Sequence, residues 1–111
     1  MDPTQLGIVD PDDSLQALIA RIARDTIASC ELRCGFTIDE IENVDELDIL
    51  VYNICVGFDK VESWRKANPS TKLILLIETA EAETWTRIER LNPVAVLSIP
   101  FRYQELRSAL S

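Results

Sequence analysis

The chain contains no histidine, only three glycines and 6% aromatic residues over its 111 positions. Without histidine, the commonest general base and the commonest metal ligand are missing, and much of the catalytic repertoire goes with them. So few glycines leave no glycine-rich loop to cradle a phosphate. Long apolar runs are lacking too. The longest, Leu73 to Ile77, falls far short of the ~20 residues that span a bilayer. Met1-Asp2-Pro3 does not open a basic and then apolar signal segment, so a cytoplasmic location without membrane contact is expected. Basic residues are scarce, eleven against nineteen acidic, and the net charge of -8 repels nucleic acid and anionic lipid. The eleven are scattered along the chain, so no nucleic-acid partner is expected for this domain alone. Cys30, Cys34 and Cys55 are an odd number without the dense spacing of a disulfide scaffold. Reduced thiols inside the core are expected, because free cysteine is among the most often buried residue types. With no second cysteine pair and no histidine, a closed zinc site cannot be built from them.

What is present is an ordinary globular composition, 47% hydrophobic and 27% charged, in a length that suits one domain over residues 1–111. Leu6-Gly7-Ile8-Val9 is a short apolar run that stops at Asp10-Pro11-Asp12-Asp13-Ser14, a cluster of turn formers and helix caps. Leu15, Leu18, Ile19 and Ile22 then recur at helical spacing and predict a helix over residues 12–25. A strand is expected at residues 31–34. Ile38, Ile41 and Val44 among acidic residues suggest a short second helix with Thr37 as its N-cap. Residues 48–54 are continuously apolar after Asp48, which implies cover on both faces of a strand. A helix over 59–67 carries Val61 and Trp64 inward and ends at Asn68-Pro69. There follow a doubly buried strand at 73–77, a helix at 81–91 with Trp85, Ile88 and Leu91 on one face, a strand at 94–98 and a last helix at 101–110. Five strands alternating with five helices through short loops make a parallel sheet covered on both sides. In such a sheet ligands bind at the loops after the strand C-termini, here residues 10–13, 53–57, 78–80 and 98–101.

This element order, the length and the four loop motifs resemble the receiver domain of two-component response regulators across nearly the whole chain. The matching pieces are Ile8-Val9-Asp10 with its acidic loop, Asp48-Ile49-Leu50-Val51, Pro69, Glu78-Thr79-Ala80, and Ile99-Pro100-Phe101 followed by Glu105-Leu106. The resemblance implies a flavodoxin-like, CheY-like (βα)5 sandwich with strand order 2-1-3-4-5. It also implies a phosphoacceptor carboxylate on the third strand, an acidic pair holding Mg²⁺, a lysine before the last proline, a hydroxyl residue and an aromatic switch. Here the acceptor position is Asn53, whose carboxamide oxygen is a poor nucleophile and gives Mg²⁺ less charge than a carboxylate. The acidic pair is reduced to Asp10 followed by Pro11, with Asp12 or Asp13 left to reach in from the next turn. Ile99 stands for the lysine, Val96 for the aromatic switch, and Glu78 and Thr79 compete for the hydroxyl position. Losses at acceptor, counter-ion and switch together imply a degenerate pseudo-receiver with no enzymatic step and no Mg²⁺. A narrower similarity, through Asp10-Pro11, Leu76-Ile77-Glu78 and Leu97-Ser98-Ile99-Pro100, is to the atypical receivers of amidase-regulator antiterminators. That likeness implies that RNA binding would belong to a module outside these residues.

Several positions admit two readings. Asp10, Asp12 and Asp13 either hold a residual divalent cation, with Asp10 and Asp12 its ligands, or cap the first helix, an effect of ~0.5–2 kcal/mol. Asn53 either binds a ligand or ties neighbouring loops together. Glu78 is either an acid with a raised pKa or a solvated carboxylate. By the resemblance, the surface of the fourth helix, fifth strand and last helix meets partners or a second copy. The residues expected there are Trp85, Arg87, Arg90, Val96, Arg102, Tyr103 and Arg107, with aromatic anchors inside a charged rim. The function expected is a phosphorylation-independent signalling module, in a two-component-like or transcription-antitermination setting, that acts by protein–protein contact. The alternative is a sensor of a small ligand or divalent metal in the residual acidic crevice. An enzyme ranks last, since no nucleophile with a neighbouring base is in view.

Overall fold

A computed structural model of the protein describes residues 2–111. The elements run β1 (Thr4–Val9), α1 (Asp13–Thr26), β2 (Cys30–Gly35), two 3-10 turns (Ile38–Glu40 and Val44–Glu46), β3 (Ile49–Asn53), a third 3-10 turn (Ile54–Val56), α2 (Asp59–Ala67), β4 (Lys72–Ile77), α3 (Ala82–Arg90), β5 (Ala95–Ser98) and α4 (Tyr103–Leu110). All strand pairs are parallel, in the order β2-β1-β3-β4-β5. This is the expected CheY-like sandwich.

One core layer packs α1 and α4 on the sheet through Ile19, Ile22, Val51, Leu76, Leu106 and their neighbours. The other packs the first 3-10 segment, α2 and α3 on the opposite face through Ile38, Leu50, Tyr52, Trp64, Leu75 and Ile88. Alternate residues of β3 and β4 therefore enter different layers, which is why both strands read as unbroken apolar runs. Burying each such side chain contributes ~1.5–3 kcal/mol. Gly7 on β1 lets the neighbouring chain come close, since a Cβ there would lie 2.7 Å from Leu47 Cδ1. Among the described residues no helix is long and apolar enough to cross a membrane.

The expected second helix is not a helix. Ile38, Ile41 and Val44 are spaced by three, the period of a 3-10 turn rather than of the 3.6-residue α-helix. Asn43, at φ 55, breaks the segment into two turns. The Glu40 carboxylate accepts from the Phe36 and Thr37 N–H groups at 2.9 and 3.1 Å and anchors the first turn. Among the described residues four α-helices remain, and the fourth and fifth expected helices are α3 and α4. The cysteines also depart from expectation: Cys34 and Cys55 are exposed and Cys30 is half-buried. β2 is an edge strand and Cys55 lies in a surface turn, so only Cys30 packs against a core layer, from its margin, and none of the three is buried in it. Trp85 leaves the buried stripe as well, being 41% exposed while Ile88 and Leu91 are buried.

An unexpected clasp joins the ends of α2 and α3. Arg65 is buried, and its guanidinium donates to the carbonyls of Leu91 (2.8 Å), Asn92 (2.8 Å), Asn68 (3.1 Å) and Thr71 (2.5 Å). A cation there satisfies carbonyls left free at two helix C-termini and opposes their partial negative charge.

Candidate functional site

Parallel register brings the C-termini of β1 and β3 side by side, with Val9 opposite Tyr52 and so Asp10 next to Asn53. Both side chains are buried, at 1% and 4% exposure. Asn53 Nδ2 donates to Asp10 Oδ2 at 3.0 Å, and the other Asp10 oxygen accepts from the Asp12 N–H at 2.8 Å. Asn53 Oδ1 in turn accepts from the Cys55 N–H at 3.0 Å, which closes the turn after β3. Both polar ends of Asn53 and both oxygens of Asp10 are engaged. A carboxylate can lie in a dry pocket only when its charge meets such donors. The Gln16 side-chain amide completes the lock by donating to the Asp10 carbonyl (2.7 Å) and the Gly35 carbonyl (3.1 Å), so α1 holds the ends of β1 and β2 together.

Asp12 points elsewhere. Its Oδ1 accepts from Ser14 and Leu15 N–H groups at 2.8 and 3.4 Å, the geometry of a helix N-cap, and Asp13 occupies the first turn. Pro11 is exposed and brings no ligand. The residues at this place depart from the Mg²⁺ ligand set that the resemblance implies. The Asp10 carboxylate accepts N–H donors at both oxygens, the next position is proline, and the Asp12 carboxylate is committed to a helix end. Among the described residues, no three carboxylate or thiol side chains gather closely enough to hold a metal ion. No buried side-chain polar atom among them lacks a partner.

Glu78 and Thr79 follow β4 and are both exposed. Cys55 lies close enough to feel Asp10 and Glu78: partial burial first, then these two negative charges, push its thiol up and keep it protonated. Burial also raises Cys30 and Cys34, with Arg24 opposing. None of the three therefore offers a reactive thiolate. Ile99 is half-buried and packs against the α1–α4 core layer, and its N–H donates to the Ile77 carbonyl at 2.7 Å. A hydrocarbon thus fills the strand end where the resemblance implies a lysine. The peptide to the exposed Pro100 is cis.

Of the residues expected on the interaction surface, Trp85 is 41% exposed, Val96 is half-buried, and Arg90, Arg102 and Arg107 are exposed; Val94, not among those expected, is 54% exposed just before β5. Three members turn away, the first being Arg90, which lines a groove with Glu62, Arg65 and Lys66 of α2. Arg87 stacks on the Phe58 ring at 4.4 Å and pairs with Glu62 and Asp59 at 2.5 and 3.5 Å, which places it on the α2 side of α3. The Tyr103 hydroxyl donates to Asp25 of α1 at 3.4 Å, which draws its ring to the α1 side of α4. Gln16 and Arg65 escaped the sequence reading. A polar residue one turn into an acid-capped helix, and an arginine at the C-terminal end of a short one, were the signals available.

No family model matches this sequence, and no curated protein matches it. Solved structures do. A CheY-like response regulator receiver domain protein from Methanospirillum hungatei JF-1 superposes with a TM-score of 0.83 at 18% identity, over 96% of this chain and 90% of that one. A Burkholderia thailandensis E264 protein named for pilus assembly (CpaE) gives 0.78 at 19% identity, over 96% and 94%. A Burkholderia pseudomallei response regulator, which carries a phosphorylated aspartic acid, a calcium ion and citrate, gives 0.78 at 13% identity, over 97% of this chain and 66% of that one. At these identities the similarity is one of fold.

Proposed function

We propose that this chain is a non-catalytic signalling module that works by binding a protein partner, without phosphorylation and without Mg²⁺. The observation that supports this most directly is the buried Asn53–Asp10 hydrogen bond at 3.0 Å, which puts an amide where phosphoryl transfer needs a nucleophile and a cation. Response regulation and pilus assembly, the roles named for the similar structures, both fit such a module in the cytoplasm. The finer likeness to antiterminator-type receivers rests on Asp10-Pro11, Leu76-Ile77-Glu78 and Leu97-Ser98-Ile99-Pro100 and assigns RNA binding to another module.

The partner surface in this proposal is the α3–β5–α4 side, with the exposed Trp85 and Val94 as apolar anchors and the exposed Arg102 and Arg107 contributed by the α4 end. Tryptophan and arginine are the residue types enriched at interface hot spots, where truncation costs ≥ ~2 kcal/mol. Trp85→Ala tests it more cleanly than Tyr103→Ala, because Tyr103 also bonds α1. The expected result is an unchanged thermal midpoint with self-association or partner capture at least ~10-fold weaker. Unaltered association in Trp85→Ala would remove this face from the proposal. Beryllofluoride with Mg²⁺ is expected to leave the amide spectrum of the protein unchanged.

A further inference from the structure

Two features on the far side of the molecule play no part in this reading. Residues 38–48 hold six carboxylates and no lysine or arginine. Between this segment and α2 lies a groove of about 440 Å³. Ile38, Val44, Trp64 and Ala67 form an apolar floor, and Asp39, Asp45 and Asp59 stand on the rim. Trp64 is held in that floor by its indole N–H, which donates to the Val44 carbonyl at 3.0 Å. Each rim carboxylate has one partner: Asp39 pairs with Lys60, Asp59 meets Arg87 at 3.5 Å, and Asp45 accepts from the Asn68 side-chain amide at 2.8 Å. Asp59 has a fully exposed side chain, and Asp39 is 65% exposed.

We propose that the groove between the 3-10 segment and α2 receives a basic amphipathic segment of a partner protein, apolar side chains on its floor and lysine or arginine along its acidic rim. Charge complementarity selects this occupant. A second copy brings a net charge of -8 and meets repulsion, and nucleic acid or anionic lipid is repelled for the same reason. The volume is within the range that takes a few side chains, as in helix-in-groove recognition.

The test is a titration with a dye-labelled lysine–leucine amphipathic peptide of about four helical turns, with a glutamate–leucine peptide as comparison. Only the basic peptide is expected to bind, with amide shifts confined to residues 38–45 and 59–67 and the Trp64 indole among them. Asp39→Asn/Asp45→Asn/Asp59→Asn should weaken binding roughly 10-fold, since several rim charges act together. An equally charged control, Asp2→Asn/Glu83→Gln/Glu89→Gln, should stay within roughly twofold. Ser63→Arg, which fills the groove with the protein's own cation, should abolish binding. Equal losses in the two triple variants would show attraction to the overall charge and overturn the proposal. So would no binding, or shifts on the α3–β5–α4 side. A dimer that Ser63→Arg dissociates would assign the groove to a second copy instead.

Discussion

Asn53 and Asp10 form a matched pair, an amide donor against a carboxylate acceptor, in a place with little water. Asn53→Asp changes only that match. The new carboxylate would face Asp10 with no donor between them, and like charges at that distance disfavour joint ionisation. We expect a loss of ~1–3 kcal/mol in urea denaturation at neutral pH, recovered as the pH falls and one group takes a proton, and partly recovered by added Mg²⁺. Tyr52 gives a second residue-level prediction. Burial, with Cys55 a smaller contributor, pushes its phenol up to about 12, and the hydroxyl donates to the Gly57 carbonyl. The neutral form is favoured in the folded state. That stability is fully present below the ordinary value of 10.0 and is lost as the pH rises towards 12. Tyr52→Phe should therefore flatten the alkaline fall in stability while costing ~0.5–1.5 kcal/mol at neutral pH. The amide at position 53 and the hydrocarbon at 99 were legible in the sequence. That the amide meets Asp10 was not, because the pairing is created by the β1–β3 register forty-three residues apart.

The elements that sequence patterning located well are those with one strong signal each. Continuous apolarity marked β3 and β4, an acid-capped periodic stripe marked α1, and Asn68-Pro69 ended α2. The segment at 38–46 was misjudged because spacing by three supports a 3-10 turn as readily as an α-helix, and Asn43 alone carries the left-handed break. Cysteine burial was misjudged because composition says nothing of which strand lies at the edge. The Arg65 clasp operates between elements and had no local signature. Arg65→Met should cost ~2–4 kcal/mol, since it strands several carbonyls at two helix ends, whereas Arg65→Lys should restore only part. Asp12→Ala removes the α1 cap and should cost ~1 kcal/mol, read as a lower urea midpoint with an unchanged slope.

Across the molecule, charge is unevenly spread: twelve of the nineteen acidic residues but only three of the eleven basic ones fall within residues 1–48. Like charges crowded on one side oppose the compact state, so the thermal midpoint should rise as salt is raised from about 10 to about 150 mM and the Debye length shrinks from ~30 to ~8 Å. A response regulator of similar fold carries a phosphorylated aspartic acid. In this chain the run from Ile49 to Val56 contains no carboxylate, and its one polar side chain at the strand end is committed to Asp10. Intact-mass spectrometry after incubation with acetyl phosphate and Mg²⁺ tests that difference most directly. An unchanged mass is the predicted result; a mass increased by one phosphoryl group, released by hydroxylamine as an acyl phosphate would be, contradicts it.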